Sequence, residues 1–261
     1  MTTGVYLSYV GLGANLLHLS YCHQIAKKHG PIIVITLCKN LEEALADDPL
    51  IKKVYYLDKY HKKLLDIFKL SQFIKSFNFT NLLIFYPSLR IYLAAKLAGI
   101  KKVKSYKYFK KKNLHLVKAA QSLTKNFLDT ESCNTETRFF VKKEKIENVK
   151  KELNDSSFKI VLGVGSSGPT TRWGSKNFIN LINKLNEDSD YFFFILCGPN
   201  EKNIEKEIIE NLNKKNLITL SDKSIKDLIP YLCASNMYVG NDSFGSHITS
   251  QSGIKSIVFL L

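Results

Sequence analysis

Apolar runs of strand length alternate along this chain with longer stretches in which apolar residues recur at helical spacing. The stronger runs, five or six residues each, predict strands at Val5–Val10, Ile32–Leu37, Leu82–Tyr86, Ile160–Val164, Tyr191–Leu196 and Ile257–Leu261. Shorter strands are predicted at Val54–Leu57, Leu217–Thr219 and Met237–Val239. Helices are predicted at Ala14–His29, His61–Ser76, Tyr92–Leu97, Lys176–Leu185, Glu201–Leu212, Ile225–Ala234 and Ser246–Ser252. This alternation predicts an α/β fold built from βαβ units with parallel sheets.

A charged stretch, Lys142–Asn154, separates two strand-rich halves and is predicted to be a polar helix or a linker. We therefore expect two lobes, residues 1–150 and 151–261. Parallel sheets bind ligands beyond the carboxyl ends of their strands, so a cleft faced by both sheets is the expected site.

No apolar run reaches the length that a membrane-spanning helix needs, and the N-terminus lacks the pattern of a secretion signal. The five cysteines are widely spaced and form no CxxC pair: Cys22, Cys38, Cys133, Cys197 and Cys233. An odd number of separated cysteines favours reduced thiols, and hence a cytoplasmic protein.

The net positive charge lies entirely in the first half. Residues 1–150 hold 26 Lys/Arg and 11 Asp/Glu, whereas residues 151–261 hold 12 of each. The densest run, Lys101–Lys112, has seven lysines in twelve residues. Such a field attracts phospholipid, phosphorylated glycolipid or nucleic acid. A compositional explanation stays open, because the chain is rich in Lys, Asn and Ile and surface lysines can be without function.

Three polar segments follow strands of the second half. Gly165–Trp173 supplies N–H and hydroxyl donors together with Arg172, a forked cation suited to phosphate oxygens. Glu201 follows a Gly-Pro turn, where a carboxylate can bridge two ribose hydroxyls. Gly240–His247 has the pattern of a strand, a tight turn and a helix start, which would aim free backbone N–H groups at an anion.

In order and spacing, Gly165–Trp173, Gly198–Glu201 and Ser224–Gly253 resemble the ADP-heptose:lipopolysaccharide heptosyltransferases, glycosyltransferase family 9. In the first half, Gly11–His18 is similar to the family's "GLGDNLL" opening turn, and Asp48–Val54 to its "P-x-I-D-x-V" strand entry. The resemblance implies a GT-B fold, in which two Rossmann-like lobes have parallel sheets facing a central cleft, and inverting transfer of a heptose-like sugar.

The resemblance also implies roles on the donor side, in the lobe of residues 151–261. The nucleotide diphosphate would be held, mostly through backbone N–H groups, by Asp242, Ser243, Phe244 and Gly245. His247 would pack or hydrogen-bond beneath that loop, and Glu201 would contact the adenosine ribose. The donor phosphates would be flanked by Thr170, Thr171 and Arg172.

On the acceptor side, in the lobe of residues 1–150, the resemblance places Gly13, Ala14 and Asn15 in the opening turn. The family carries an Asp at the position of Ala14 and uses it to deprotonate the acceptor. A methyl group cannot accept a proton, and loss of a general base costs about 10²–10⁴-fold in rate. His18 lies one helical turn further on and is a candidate substitute base, or else a packed or capping histidine.

Two further departures concern the donor lobe. The family has Lys where this protein has Thr171, so Arg172 is the candidate cation for the departing diphosphate. The family also continues for several dozen residues beyond the point that corresponds to Leu261. The donor lobe is therefore expected to be incomplete, and the protein to be shortened at its C-terminus.

The expected reaction is a single displacement without a cofactor or metal, since no carboxylate pair is placed to hold one. The expected partners are an ADP-sugar donor, an anionic glycolipid acceptor and the inner-membrane surface. A rival interpretation is a catalytically inactive nucleotide- or glycan-binding homologue that lacks the base. A nucleic-acid binder rests only on the lysine run with Tyr106, Tyr108 and Phe109, without a recognition motif, so no specific nucleic acid is expected.

Overall fold

The computed structural model describes residues 2–58, 66–106, 115–153, 156–166, 168–188, 191–211 and 216–260. The chain divides into two compact units, Met1–Thr137 and Arg138–Leu261. No helix of the described residues is both long and apolar enough to cross a membrane.

The first unit is a five-stranded parallel sheet covered by helices. Its elements are β1 (Thr2–Leu7), α1 (Leu12–Leu16), α2 (Leu19–His29), β2 (Ile32–Thr36), α3 (Leu41–Ala44), β3 (Ile51–Tyr56), α4 (Asp66–Lys75), β4 (Phe79–Ile84), α5 (Leu89–Leu97), β5 (Lys102–Ser105) and α6 (Leu116–Leu128). The strand order is β3-β2-β1-β4-β5. At the centre, Val5 lies in register between Val34 and Leu83, and all three are fully buried.

The second unit repeats this architecture. Its elements are α7 (Lys143–Leu153), β6 (Phe158–Gly163), α8 (Ser175–Asp188), β7 (Tyr191–Leu196), α9 (Lys202–Glu210), β8 (Leu217–Thr219), α10 (Ile225–Ala234), β9 (Met237–Asn241), α11 (Phe244–Gln251) and β10 (Lys255–Phe259). The strand order is β10-β9-β6-β7-β8, all parallel. Both units therefore have the Rossmann order, with the topological switch beside the first strand of each sheet. The predicted α/β class and the two Rossmann-like lobes are confirmed.

Several element bounds differ from those that the sequence predicts. Strand β1 ends at Leu7 rather than Val10, because the backbone leaves the sheet and Val10 is 75% exposed. Helix α5 begins at Leu89 rather than Tyr92, because the Ser88 hydroxyl accepts a hydrogen bond from the Ile91 N–H and caps it.

The predicted helix Ala14–His29 is two helices. The His18 N–H donates to the Asn15 carbonyl rather than to that of Ala14, so the turn tightens and α1 ends. The ring of His18 then satisfies the Ala14 carbonyl.

Strand β5 and helix α6 are not among the predicted elements. Strand β5 is largely polar and buries only Val103, so its backbone pairing with Asn81–Ile84 defines it. Helix α6 packs against α2.

The charged segment predicted as a helix or linker is helix α7, and it belongs to the second unit. The Tyr231 hydroxyl of α10 lies 2.7 and 2.8 Å from the two carboxylate oxygens of Glu152. The division between the units therefore precedes this helix rather than following it near residue 150.

Candidate functional site

The carboxyl ends of β9, β6 and β7 lie side by side in the second sheet, because β6 pairs with both of the others. The three polar segments singled out in the sequence follow these three strands. The fold thus brings the predicted donor-side residues to one edge of one sheet, which is where parallel sheets bind ligands.

The corner between β9 and α11 is held by hydroxyl groups. The buried Tyr238 hydroxyl donates to the Asn241 carbonyl at 2.8 Å and lies 3.1 Å from the Ser243 Oγ. Ser243 and Ser246 form a reciprocal capping box at the start of α11. The Ser246 hydroxyl donates to the Ser243 carbonyl at 2.7 Å. The corner is therefore a preformed helix start with its positive end at the sheet edge.

Two backbone N–H groups predicted to be free at this corner have side-chain acceptors. The Ser243 N–H donates to the Ser246 Oγ and the Gly245 N–H to the Ser243 Oγ, each at 3.3 Å. The expectation of free amides is wrong for these two groups, since the serines that make the turn also cap it. Both bonds are long, so an anion at the corner would compete with weak acceptors.

Glycine allows the corner to lie close to the sheet. A Cβ at Gly245 would overlap the Leu196 side chain, and a Cβ at Gly163 would overlap the Tyr238 hydroxyl. Gly245 is buried, and its neighbour Phe244 is partly exposed. The small residues at this corner thus serve close packing beneath the loop.

Asp242 and His247 face each other across the first turn of α11. The His247 Nε2 lies 3.7 Å from the Asp242 Oδ1, with side-chain exposures of 24% and 57%. Burial lowers the pKa of His247, and the nearby Asp242 carboxylate opposes that shift. His247 is therefore predominantly neutral at pH 7, and Asp242 is open to solvent.

The loop after β6 folds back on itself through hydroxyl groups. The Ser166 and Thr171 hydroxyls both lie within hydrogen-bond distance of the Gly168 carbonyl, at 2.7 and 2.9 Å, and 2.9 Å from each other. Thr170 is exposed at the turn. Thr171 is therefore partnered within its own loop, and Ser167 lies outside the described residues.

Arg172 and Glu201 form an ion pair between the loops that follow β6 and β7. The Arg172 Nη2 donates a hydrogen bond to the Glu201 Oε1 at 2.7 Å. The other Glu201 oxygen accepts a hydrogen bond from the Gly198 N–H at 2.8 Å. Glu201 is 8% exposed. Among the described residues, the Arg172 Nε has no hydrogen-bond partner. In this structure Arg172 pairs with the predicted ribose contact, so only part of its guanidinium remains for a phosphate.

Asn241 is a residue that the sequence reasoning missed. Its side chain is fully buried, donates to the Val164 carbonyl at 2.8 Å and accepts from the Trp173 N–H at 2.9 Å. One amide thus ties the end of β9 to both ends of the loop after β6. An Asn directly before the Asp of the corner was the available signal, but only the sheet order shows what its side chain reaches.

In the first unit, the opening turn places the three predicted acceptor-side residues at the carboxyl edge of β1. Gly13 and Ala14 are partly exposed. Asn15 is 1% exposed, and its Nδ2 donates to the carbonyls of Tyr9 and Gly11 at 2.9 and 2.7 Å. Asn15 therefore holds the turn together rather than presenting its side chain to a ligand.

His18, the candidate substitute base, is fully buried. Its Nδ1 lies 2.8 Å from the Ala14 carbonyl and must donate to it, so the Nε2 accepts from the Tyr106 hydroxyl at 3.1 Å. The ring stacks on Tyr9 with centroids 5.0 Å apart. Burial lowers the pKa of His18 to about 4. This geometry supports the alternative of a packed histidine and leaves no lone pair free for an acceptor hydroxyl.

The buried imidazole predicts a pH-dependent stability. Because the folded pKa of about 4 lies below the ordinary 6.5, the unfolded state binds more protons between these values. The contribution of neutral His18 to the free energy of unfolding is complete above pH 6.5. It is lost as the pH falls towards 4, and the total loss is about 3 kcal/mol. Urea unfolding between pH 7 and 4 measures it.

The variant His18→Gln should flatten this pH dependence of the unfolding free energy. An equal slope in the wild type and the variant would contradict the assignment to His18.

Part of the lysine run, including Tyr108 and Phe109, lies outside the described residues. Within the described ranges, no three His, Cys, Asp or Glu side chains form a group that could hold a metal ion. All five cysteine thiols are free.

Solved structures resemble this chain over nearly its whole length. ADP-heptose lipopolysaccharide heptosyltransferase II of E. coli has a TM-score of 0.78 at 13% identity, covering 99% of this chain and 84% of that one. A family 9 glycosyltransferase from Veillonella parvula gives 0.77 at 16% identity, covering 98% and 80%. E. coli heptosyltransferase WaaC with ADP gives 0.75 at 13%, covering 98% and 87%.

Two Rossmann-like units in one polypeptide, matching these structures, define a protein of the GT-B fold class. The model of glycosyltransferase family 9 (heptosyltransferase) matches residues 91–257, which is well over half of the sequence. The protein therefore belongs to glycosyltransferase family 9. Among curated protein sequences, none matches it at a significant level.

Proposed function

We propose that this protein is an inverting glycosyltransferase that moves a heptose-like sugar from an ADP-sugar to an anionic lipopolysaccharide-core acceptor. The observation that carries this proposal is the family match over residues 91–257, which contains all three donor-side loops. Solved relatives of the same fold include WaaC with ADP and with ADP-2-deoxy-2-fluoro heptose.

On the donor side, the β9–α11 corner would hold the diphosphate. The positive end of α11 and the backbone of Asp242–Gly245 lie at the sheet edge, and His247 supports the corner from within the helix. Thr170, exposed on the neighbouring loop, would reach the same phosphates. Glu201 keeps lone pairs for ribose hydroxyls although each of its oxygens already accepts one hydrogen bond.

In the proposed displacement, an acceptor oxygen forms a bond to the anomeric carbon while the bond from that carbon to the ADP oxygen breaks. The leaving diphosphate gains negative charge, which the start of α11 and the part of Arg172 not paired with Glu201 would stabilise. The proton of the acceptor hydroxyl passes to solvent water, since Ala14 cannot accept it and both ring nitrogens of His18 are engaged. Metal-free transfer is part of the proposal, and retention of activity in a chelator tests it.

A second candidate function is a catalytically inactive nucleotide- or glycan-binding homologue. Two observations favour it. Ala14 cannot accept a proton, and both ring nitrogens of His18 are engaged in hydrogen bonds in the core. A nucleotide-binding homologue would share the donor site with the transferase and differ from it only in turnover.

Calorimetric titration with ADP tests the donor site that the transferase and a nucleotide-binding homologue would share. Wild-type protein should bind ADP, and Glu201→Gln should weaken binding by about tenfold, since it removes a ribose contact and the partner of Arg172. The same variant should lose the preference for ADP over 2′-deoxy-ADP, because the lost contact is to the ribose.

Asp222→Asn is the matched control, because it breaks the exposed Lys202–Asp222 pair (2.6 Å) next to Glu201 without touching the proposed site. ADP affinity should be unchanged in this variant. Absence of ADP binding by the wild-type protein would overturn the proposed transferase and the nucleotide-binding form of the second candidate.

A further inference from the structure

Helix α5 of the first unit carries a row of leucines on its exposed side. Leu89, Leu93 and Leu97, which we call the leucine face, are 57%, 41% and 57% exposed. They are spaced four residues apart, so they lie along one side of the helix. The opposite side of α5 is well packed, since Ile91, Ala94 and Ala95 belong to the core of the sheet. Three large apolar side chains in a row at the surface indicate an interaction surface.

Further exposed apolar side chains lie between the leucine face and the opening turn of the first unit. Strand β4 ends at the same edge of the sheet as β1, and α5 starts just beyond it. The Tyr9 and Tyr86 rings meet edge to face at 6.2 Å, which brings the two loops together. Val10 and Tyr86 are 75% and 42% exposed. Exposed apolar side chains therefore lie both beside the proposed acceptor-side turn and along α5.

The two helices that form and flank the leucine face carry more cations than carboxylates. The sequence of α5 contains Arg90 and Lys96 and no carboxylate. Helix α4, which packs alongside α5, contributes Lys69 and Lys75 against one acidic residue, Asp66. Over residues 1–137 the sequence holds 21 Lys/Arg and 9 Asp/Glu, a net charge of +12. Exposed leucines next to cations suit a partner that has an apolar interior and anionic groups at its surface.

We propose that the leucine face docks this protein on an anionic phospholipid bilayer, with Val10 and Tyr86 at the end of the contact nearest the acceptor-side turn. This rests on the proposed function in one respect: a lipid-linked acceptor would present its sugar to the opening turn while its acyl chains stay in the same bilayer. Leucine side chains enter the acyl boundary, and the lysines meet the phosphate groups.

Vesicle flotation tests the docking surface. Wild-type protein should bind vesicles of phosphatidylethanolamine and phosphatidylglycerol, and bind phosphatidylcholine vesicles more weakly. The triple variant Leu89→Gln, Leu93→Gln, Leu97→Gln should lower the partition coefficient by about tenfold or more. Lys96→Gln should lower it by about fivefold on anionic vesicles only.

Leu260→Gln is the matched control, because Leu260 is 82% exposed and lies in the other unit. Its partition coefficient should equal that of the wild type. Thermal unfolding should show that the triple variant keeps its fold, since the replaced side chains are exposed. The single variant Leu89→Gln, which should give a smaller loss of binding, serves if the triple variant unfolds.

Three results would overturn the proposal. The first is equal vesicle binding by the wild type and the triple variant, which would assign the attraction to lysines alone. The second is a wild-type protein that binds no vesicles. The third is a wild-type dimer that the triple variant loses, which would assign the leucine face to a second copy of this protein.

ADP titration of the same proteins separates this proposal from the donor-site proposal. The triple variant should bind ADP as the wild type does. If the wild-type protein binds anionic vesicles through the leucine face but does not bind ADP, the docking surface is supported and the proposed function is contradicted.

Discussion

Replacing Ala14 with Asp is expected to raise the rate of sugar transfer by about 10²-fold or more. Ala14 is partly exposed in the turn after β1. The resemblance of this turn to the family's opening motif predicts a proton-accepting Asp at this position. His18 is not available for this role, because the Ala14 carbonyl and the Tyr106 hydroxyl occupy both of its nitrogens. The measurement is kcat/KM for transfer from ADP-heptose to a lipopolysaccharide-core acceptor.

Ala14→Asn is the matched control, since it adds an amide of the same size that is unable to take the proton. It should leave the rate at the wild-type value. If the wild type turns over and Ala14→Asp does not exceed it, the proton passes to a base elsewhere in the protein, and the assignment of position 14 is contradicted. A wild type with no turnover that Ala14→Asp rescues supports the inactive homologue.

Replacing Asn241 with Ala is expected to lower both stability and ADP affinity. The substitution leaves the Val164 carbonyl and the Trp173 N–H without their partner in a fully buried position, at a cost of about 2–4 kcal/mol in the free energy of unfolding. It also releases the loop that carries Arg172, so ADP affinity should fall by about tenfold or more. Urea unfolding and calorimetric titration measure the two effects.

Asn236→Ala is the matched control. The Asn236 Oδ1 accepts from the Lys159 N–H at 2.8 Å, and so links the same two strands, β6 and β9, at their opposite ends. Its loss should lower stability and spare ADP affinity. Equal loss of ADP affinity in both variants would show that Asn241 acts only through overall stability.

The fold follows from the sequence to a large extent because central parallel strands are buried on both faces and therefore form unbroken apolar runs. Ile160–Val164 and Tyr191–Leu196 were predicted in this way. Strand β5 was not, because it lies at the sheet edge, where backbone pairing and one buried valine suffice.

The site could be predicted only as a set of segments. Small and polar residues after β6, β7 and β9 indicated an anion at the sheet edge, and they do lie together there. The hydrogen bonds among them have two origins. Ser243 and Ser246 cap the helix start through local contacts two and three residues apart. The Arg172–Glu201 pair joins residues 29 positions apart, so it could not be predicted from local spacing.

The sequence by itself determined the α/β class and the family, and it predicted three loops for the donor side. Each of these depends on local pattern, such as strand-length apolar runs and the short motifs that follow them. The tertiary structure alone decided that Asn241 joins two loops, that His18 lies in the core and that α5 shows its leucines to solvent. The burial of a side chain and its partners across the sheet depend on residues that are far apart in the sequence, so a local pattern cannot predict them.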